Sequence, residues 1–318
     1  MKFNHMILAL AVTLTCTGSQ LEAKLAASKI APIAKWTELK SPHHIYPTGD
    51  AIYYSFKLDN GSQAHLIVVN TKAGKWRIRP AINEATAATS TLAQKENASA
   101  AVNGGYFNLS DGVSASYIVR DGKQVADPAT NKALIENPKL IPHLEKIFNR
   151  SEIRFLDRGG KTEISIANHK DPVPAGARLV DSLQGGPRLL PQLTAKEEAF
   201  LRTESDGKEA DSIGVKREAA RTAFGITPDG YAMIMTVAAS GQDAESTGIS
   251  LAALADILKG LGCTEAINLD GGASTTMFVK LSPVNSTGPV DAPPGTVVCG
   301  KSPETRIKSI LLIEPSRK

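Results

Sequence analysis

Residues 266–277, Ala-Ile-Asn-Leu-Asp-Gly-Gly-Ala-Ser-Thr-Thr-Met, constrain the fold of this chain more than any other stretch. Residues 251–261 carry apolar side chains at helical spacing and stop at Gly262, and 266–269 then read as a short interior strand. Asp270 falls where that strand ends, so rigid backbone holds its carboxylate. Gly271 and Gly272 permit positive φ or the close approach of a ligand, and Ser274, Thr275 and Thr276 offer hydroxyls and N–H groups. A plainer reading stands beside this one. Asp-Gly is a common hairpin connection, and 275–279 would then be the next strand of the same hairpin.

A second segment repeats the pattern. Ala101-Val102-Asn103-Gly104-Gly105-Tyr106-Phe107-Asn108 is again an apolar run, a polar residue and two glycines, here followed by aromatics. Between the two lie Gly186-Pro187-Arg188-Leu189 and Arg221-Thr222-Ala223-Phe224-Gly225-Ile226. These four segments, in this order, resemble the motifs of the phosphodiester glycosidase family. The resemblance covers roughly residues 64–314, and although each motif is short, four in the family's order are specific.

The resemblance implies hydrolysis of a sugar-1-phosphodiester at the anomeric carbon. A phosphate monoester leaves without a strong proton donor, so one well-placed carboxylate can suffice where ordinary glycosidases use two. Asp270 is the candidate, as nucleophile or as the base that activates water. Arg221 is the candidate phosphate grip, because a planar guanidinium holds phosphate oxygens bidentately; a salt bridge to Glu218 is its structural alternative. Asn103 completes the candidate catalytic set. Asn103 and Asn268 either read sugar hydroxyls or tie the two glycine turns together. Candidate substrate-binding residues are Gly104, Gly105, Gly271 and Gly272, whose N–H groups would form nests for phosphate or sugar. Tyr106 would stack on a sugar face, Arg188 would be a second phosphate ligand, and Asn268, Ser274 and Thr275 would add hydrogen bonds. Phe107 reads equally well as core, and Arg306 occupies a late-arginine position that is functional or structural.

One departure from the family pattern bears on the substrate. Many members carry Asp-Gly-Arg after the central strand, where this chain has Ser240-Gly241-Gln242 followed by Asp243 and Glu245. No cofactor is expected. Asp243, Glu245 and Asp270 would supply hard oxygen ligands to calcium, but no ligand spacing enforces it. A serine nucleophile at Ser274 is disfavoured, since the surrounding residues lack the second glycine of a nucleophile elbow and no motif places a histidine beside it.

With 318 residues, 42% of them hydrophobic, the chain can bury a large core. Lys2 and His5 precede an apolar stretch over 6–14, too short to span a bilayer and followed by small and polar residues, which reads as an export signal cleaved near Ala23. Cys16 lacks a good lipobox before it. The expected organisation is a signal peptide over 1–23, a lead-in over 24–50 and one phosphodiester glycosidase-like domain over 51–318. Secretion or a periplasmic location follows, with no transmembrane helix in the mature chain. Cys263 and Cys299 remain, either as a disulfide or as small buried hydrophobes. Lys plus Arg (36) exceeds Asp plus Glu (32) by only four, and no basic cluster is interleaved with aromatics, so nucleic acid is not an expected partner.

Alternating runs at 52–58 and 64–69, joined by Asp59-Asn60-Gly61-Ser62, predict a hairpin, as do 116–119 with 123–125 and 223–227 with 231–237. Residues 76–80 continue the strand pattern, 91–96 suggest a helical turn, and 307–313 a final strand. Residues 127–150 read as a surface excursion with a short helix over 141–149, and the charged run 196–219 as a solvated helix and mobile loop that could act as a lid. Residues 286–294 form a Pro-rich loop. The expected fold class is α/β (mixed α+β), with strand-rich mixed sheets flanked by helices in a single domain. The expected function is an exported hydrolase of a glycosyl-1-phosphodiester in a cell-envelope or extracellular glycan. Its rival is a non-catalytic carbohydrate- or envelope-binding protein that keeps the same glycine-rich cradle.

Overall fold

Strand Gln63–Asn70 is apolar on both faces, with Leu66 and Val68 pointing one way and Ile67 and Val69 the other, so it has to lie between two layers. Tyr231–Ala238 repeats this, sending Met233, Met235 and Val237 to one side and Ala232 and Ile234 to the other. In the computed structural model, which describes residues 35–47, 50–204, 206–238, 248–283 and 293–316, these strands are the middle of a seven-stranded sheet. Its order is His43–His44, Ala51–Lys57, Gln63–Asn70, Tyr231–Ala238, Arg221–Ile226, Glu265–Asn268 and Arg188–Leu190.

One face of this sheet packs on the helix Leu251–Gly260. Ser250 caps that helix by accepting from the Ala253 N–H at 3.2 Å, and Gly262, at φ +105°, lies just past its end. Leu251, Leu254, Ile257 and Leu258 are its buried side chains against the sheet, each stabilising by roughly 1.5–3 kcal/mol. The other face packs on two five-stranded sheets. One runs Lys123–Ala126, Ile118–Arg120, Arg178–Gln184, Ser151–Arg158, Lys161–Asn168, and the other Thr296–Cys299, Met277–Val279, Ala100–Asn103, Ile307–Pro315, Trp76–Ala87. All three sheets contribute to one core cluster that includes Phe224, Ile267, Ile153, Leu183, Val102 and Leu311. The outer face of the last sheet is covered by the helix Thr89–Lys95 through Leu92 and Ala93.

The fold is thus mixed α+β and strand-rich, as expected. Every pairing between the described strands is antiparallel, so "mixed" applies to helix with strand and not to strand direction. The three expected hairpins are present. The hairpin reading of Asp270-Gly271 is excluded: the strand before it, Glu265–Asn268, belongs to the seven-stranded sheet, while Met277–Val279 belongs to a five-stranded one. The segment between them crosses from layer to layer.

The charged run 196–219 departs from expectation. It holds no helix among its described residues; instead Leu201–Thr203 pairs with Glu209–Asp211. Phe200, Leu201 and Val215 sit in the core cluster beside the helix Leu251–Gly260, and Gly207 and Gly214, both at positive φ, interrupt any helical run. The strands Ser151–Arg158 and Lys161–Asn168 form a further hairpin about Gly159-Gly160, beyond the three expected. The proposed leader, Cys16 and most of the Pro-rich loop over 286–294 lie outside the described residues.

Cys263 and Cys299 are both buried and free, the first in the cluster under the helix and the second in the cluster between the sheets. Burial pushes the Cys263 thiol up to about 12. A thiol reagent without reductant should therefore label neither residue in the native protein and both after denaturation. Failure to label them after denaturation would restore the disulfide.

Candidate active site

The four glycine-containing motifs reach one place from three sheets. Asn103 ends its strand with the side chain fully buried. Its Nδ2 donates to the Asp270 carbonyl at 2.5 Å, while its Oδ1 accepts from Thr222 Oγ1 at 2.7 Å and from the Thr276 N–H at 3.1 Å. Main-chain bonds close the junction. Asp270 N–H donates to Gly104 O at 3.1 Å, Gly186 N–H to Asn268 O at 2.8 Å, Leu269 N–H to Thr222 O at 2.8 Å, and Gly272 N–H to Ala220 O at 2.7 Å. Asn103 and Asp270 are thus adjacent, and Asn103 works as the tie between turns with both ends of its amide committed.

Tyr106 and Asn268 form a second tie. The Tyr106 hydroxyl donates to Gly186 O at 2.7 Å and receives Asn268 Nδ2 at 2.8 Å, and Asn268 Nδ2 also lies 2.7 Å from Leu269 O. Asn268 Oδ1 is buried without a partner. The Tyr106 ring packs against Phe200 with centroids 5.5 Å apart, and burial raises its phenol pKa, helped by the nearby Asp270 charge.

The nest expectation for the glycines is corrected by the hydrogen bonds. Gly104 N–H goes to Ser309 O at 2.8 Å and Gly105 N–H to Ser309 Oγ at 3.1 Å; Gly271 N–H goes to Asp270 Oδ1 at 2.9 Å. With Gly272 N–H bonded to Ala220 O, none of the four N–H groups is left facing outward. Glycine is required at the first pair for contact. A Cβ at Gly104 would lie 2.9 Å from the Ser309 carbonyl carbon, and one at Gly105 2.8 Å from Gln184 O. Gly186 is required twice over, by φ +101° and because a Cβ there would run into the Glu198 carboxylate and lie 2.9 Å from Phe200 Cε2.

Asp270 itself is half-buried. Loss of water around the carboxylate raises its pKa to about 6, against the opposing pull of the Ser274 hydroxyl and the Gly271 N–H. It is ionised at neutral pH, in a site where ionisation is held barely favourable. Ser274 thus already serves Asp270, and Thr275 Oγ1, close by in sequence, is buried without a partner.

Arg221 lies underneath, 2% exposed. Its Nε donates to Ile249 O at 2.9 Å, Nη1 to Ile213 O at 3.0 Å, and Nη2 to Gly214 O at 2.5 Å and Arg217 O at 2.6 Å. Four of its five donors are taken by carbonyls, so it pins the 213–217 segment to the strand carrying Thr222, and the Glu218 salt bridge is not its anchor. Arg188 holds its place through its own N–H, donated to Glu198 Oε1 at 2.9 Å, and its side chain is half-buried. The exposed Arg306 donates to the Thr86 carbonyl, and Phe107 packs on the outer core cluster. Among the described residues no group of three or more His, Cys, Asp or Glu side chains is arranged for a metal. Ser240, Gly241, Gln242, Asp243 and Glu245 lie outside them. Glu198 and Arg150, near the motifs, are among the buried charges that carry no local signature; nothing in their spacing distinguishes them from the solvated charges on either side.

Comparison with known proteins matches the profile described as phosphodiester glycosidase to residues 96–313, about two-thirds of the chain. A search of curated proteins finds no match. Among solved structures, a hypothetical protein from Synechocystis superposes with TM-score 0.57 at 16% identity, over 88% of this chain and 64% of the other, so this chain spans less than two-thirds of that one. The catalytic domain of zebrafish N-acetylglucosamine-1-phosphodiester alpha-N-acetylglucosaminidase, auto-inhibited by its pro-peptide, gives TM-score 0.54 at 19% identity, over 86% and 87% of the two chains. A Burkholderia pseudomallei protein inferred to be exported gives TM-score 0.54 at 15% identity, over 80% and 74%. At these identities the structures share the fold.

The raised Asp270 pKa carries a stability consequence. Below about pH 3.8 the carboxyl is neutral in both folded and unfolded chains; as pH rises through about 6 the unfolded chain ionises first, and stability is lost. Asp270→Asn removes that loss. The variant should gain on the order of 1–2 kcal/mol at pH 8, after allowance for the group's partial exposure, and nothing at pH 4. Paired thermal melts at the two pH values measure it, and an equal offset at both would show that the carboxyl is not desolvated.

Proposed function

This chain belongs to the phosphodiester glycosidase family, and from that premise we propose that it is a hydrolase of a sugar-1-phosphodiester, with Asp270 as its catalytic carboxylate. The observation that carries the reading is the placing of Asp270. One half-buried carboxylate stands where all four family motifs meet, held through its own main chain by Asn103 and Gly104, with its pKa moved toward neutrality. A group kept ionised at a cost to the fold is characteristic of a working acid or base.

In the reaction, the bond between the anomeric carbon and the bridging phosphate oxygen breaks. The phosphate departs with the bonding pair as a monoester, and water supplies the new hydroxyl, its proton passing to solvent. Asp270 acts on the face of the sugar opposite the phosphate, where its charge stabilises the oxocarbenium-like carbon. It either attacks that carbon or takes the proton of the incoming water, and the product anomer reports which: retention for attack, inversion for the base. No second carboxylate is required, because phosphate is a good leaving group. Asn103, Thr222 and Thr276 are positioning residues in this scheme, and Arg221 supports the floor.

The reaction is placed outside the cytoplasm, on a sugar phosphodiester of a cell-envelope or extracellular glycan. The charged-then-apolar start of the chain and the likeness to a protein inferred to be exported support this. No helix among the described residues is long and apolar enough to cross a membrane. The committed guanidinium of Arg221 favours one other reading, a non-catalytic glycan-binding protein. Under it, the wild type would bind sugar phosphodiesters and release no product, and Asp270→Asn would bind equally well.

With purified protein and a glycosyl-1-phosphodiester, Asp270→Asn should lower kcat on the order of 10²–10⁴-fold. The kcat/KM of the wild type should fall on the acid side with a midpoint near pH 6, as the carboxylate takes up its proton. Turnover unchanged by the substitution would remove Asp270 from the chemistry. Separately, N-terminal sequencing of the protein from an exporting host should begin at Lys24, and a chain beginning at Met1 would contradict export by a cleaved signal.

A further inference from the structure

Two buried arginines feel the Tyr106 phenol, and they are employed differently. Arg221 has four of its five donors on backbone carbonyls. Arg150 does not. It is 8% exposed, joins the helix Leu144–Phe148 to the strand Ser151–Arg158, and makes one hydrogen bond to protein, from Nε to Glu198 O at 3.0 Å. Its Cζ lies 3.7 Å over the Phe200 ring, which fixes the plane of the guanidinium.

The acid whose main chain takes that bond supports the Arg150 charge from nearby but makes no ion pair with it. The Glu198 carboxylate is held by Ser151 N–H at 3.0 Å, Ser151 Oγ at 2.9 Å, Arg188 N–H at 2.9 Å and the Thr194 hydroxyl. Among the described residues no carboxylate lies within ion-pair distance of Arg150, and its Nη1 and Nη2 have no partner. The two Nη groups are not among the buried atoms left without a partner, so the guanidinium is covered on its Nε side and ring face and open at its fork, where an anion can meet it. Burial lowers its pKa to about 10, which leaves it charged at neutral pH.

The position suits the site. Phe200 packs on Tyr106, whose hydroxyl rests on Gly186 O at 2.7 Å and Leu269 O at 3.3 Å, immediately before Asp270. The charges of Asp270 and Arg150 both act on that phenol. The geometry points to Arg150 as the residue that binds the phosphate of the phosphodiester, its two free Nη groups meeting two non-bridging oxygens while Phe200 holds the fork in plane. This rests on the phosphodiester reading of the Asp270 site, and assigns to Arg150 the grip that the motif pattern assigned to Arg221.

The test uses the full-length chain with inorganic phosphate as probe, measured by calorimetry, and a glycosyl-1-phosphodiester as substrate. Wild type and Asp270→Asn should bind phosphate alike, and folded Arg150→Gln should bind it weaker on the order of 30-fold or more, as when one member of a buried charge pair is removed. Arg150→Lys, which keeps the charge and loses the fork, should fall between, and it carries the test if the glutamine variant does not fold. In turnover, Arg150→Gln should lose kcat/KM while keeping the acid limb near pH 6, which belongs to Asp270. No phosphate binding by the wild type, or equal binding by either Arg150 variant, overturns the assignment. If the wild type hydrolyses the substrate and Arg150→Gln does so equally, Arg150 falls and the function stands. If the wild type hydrolyses no phosphodiester but phosphate binding is lost in Arg150→Gln, the function falls and the anion site stands.

Discussion

The Asn103 side chain is the interaction on which the site depends. One amide receives a hydroxyl and an N–H and donates to a carbonyl, linking the ends of the Ala100–Asn103 and Arg221–Ile226 strands to the crossing segment that carries Asp270. It is buried, so water offers its partners no replacement, and loss of the amide would strand a hydroxyl and two main-chain groups together. A carboxylate between two sheets needs such a tie, because neither sheet by itself fixes the register of the other.

The glycines serve this junction by bringing backbone close to backbone. Gly104 and Gly105 let the first turn lie against Ser309, Ser116 and Gln184, and Gly186 lets the second motif lie against Glu198 and Phe200. The N–H groups are consumed in the process. Side chains are then left to meet a ligand, and this shifts interest from backbone nests to Asp270 and to Arg150, whose Nη donors are unfilled. The same economy of partners explains why Ser274 and Tyr106 bond inward: in a dry junction each polar atom finds its partner in the protein or remains unsatisfied.

Layering brings the motifs together. Because the crossing segment leaves the seven-stranded sheet after Asn268 and enters a five-stranded sheet at Met277, it passes over the ends of strands from both. The Arg178–Gln184 strand of the remaining sheet ends at the same point and delivers Gly185 and Gly186. Residues more than 160 positions apart in the chain, such as Asn103 and Asp270, become hydrogen-bonded neighbours.

Local chemistry made much of this legible in advance. The hairpins at 59–62, 120–122 and 228–230 carry their own turn residues, the helix Leu251–Gly260 its own cap and period, and Asp270 its own place after an apolar run and before two glycines. Other features had no local signature. Arg150 and Glu198 look like any surface charge in the one-dimensional chain, and the run over 196–219 reads as solvated because its charges outnumber Phe200, Leu201 and Val215, which the fold buries. The family pattern marked Arg221 as a functional cation, and in the fold its donors meet carbonyls. What the sequence by itself determined was the type of those elements that carry their own turn, cap or period, since propensity, capping and turn geometry act over a few bonds. Tertiary structure alone decided which donors were already filled and which charge was left without a partner, because hydrogen-bond saturation and desolvation depend on atoms brought close only when the sheets pack.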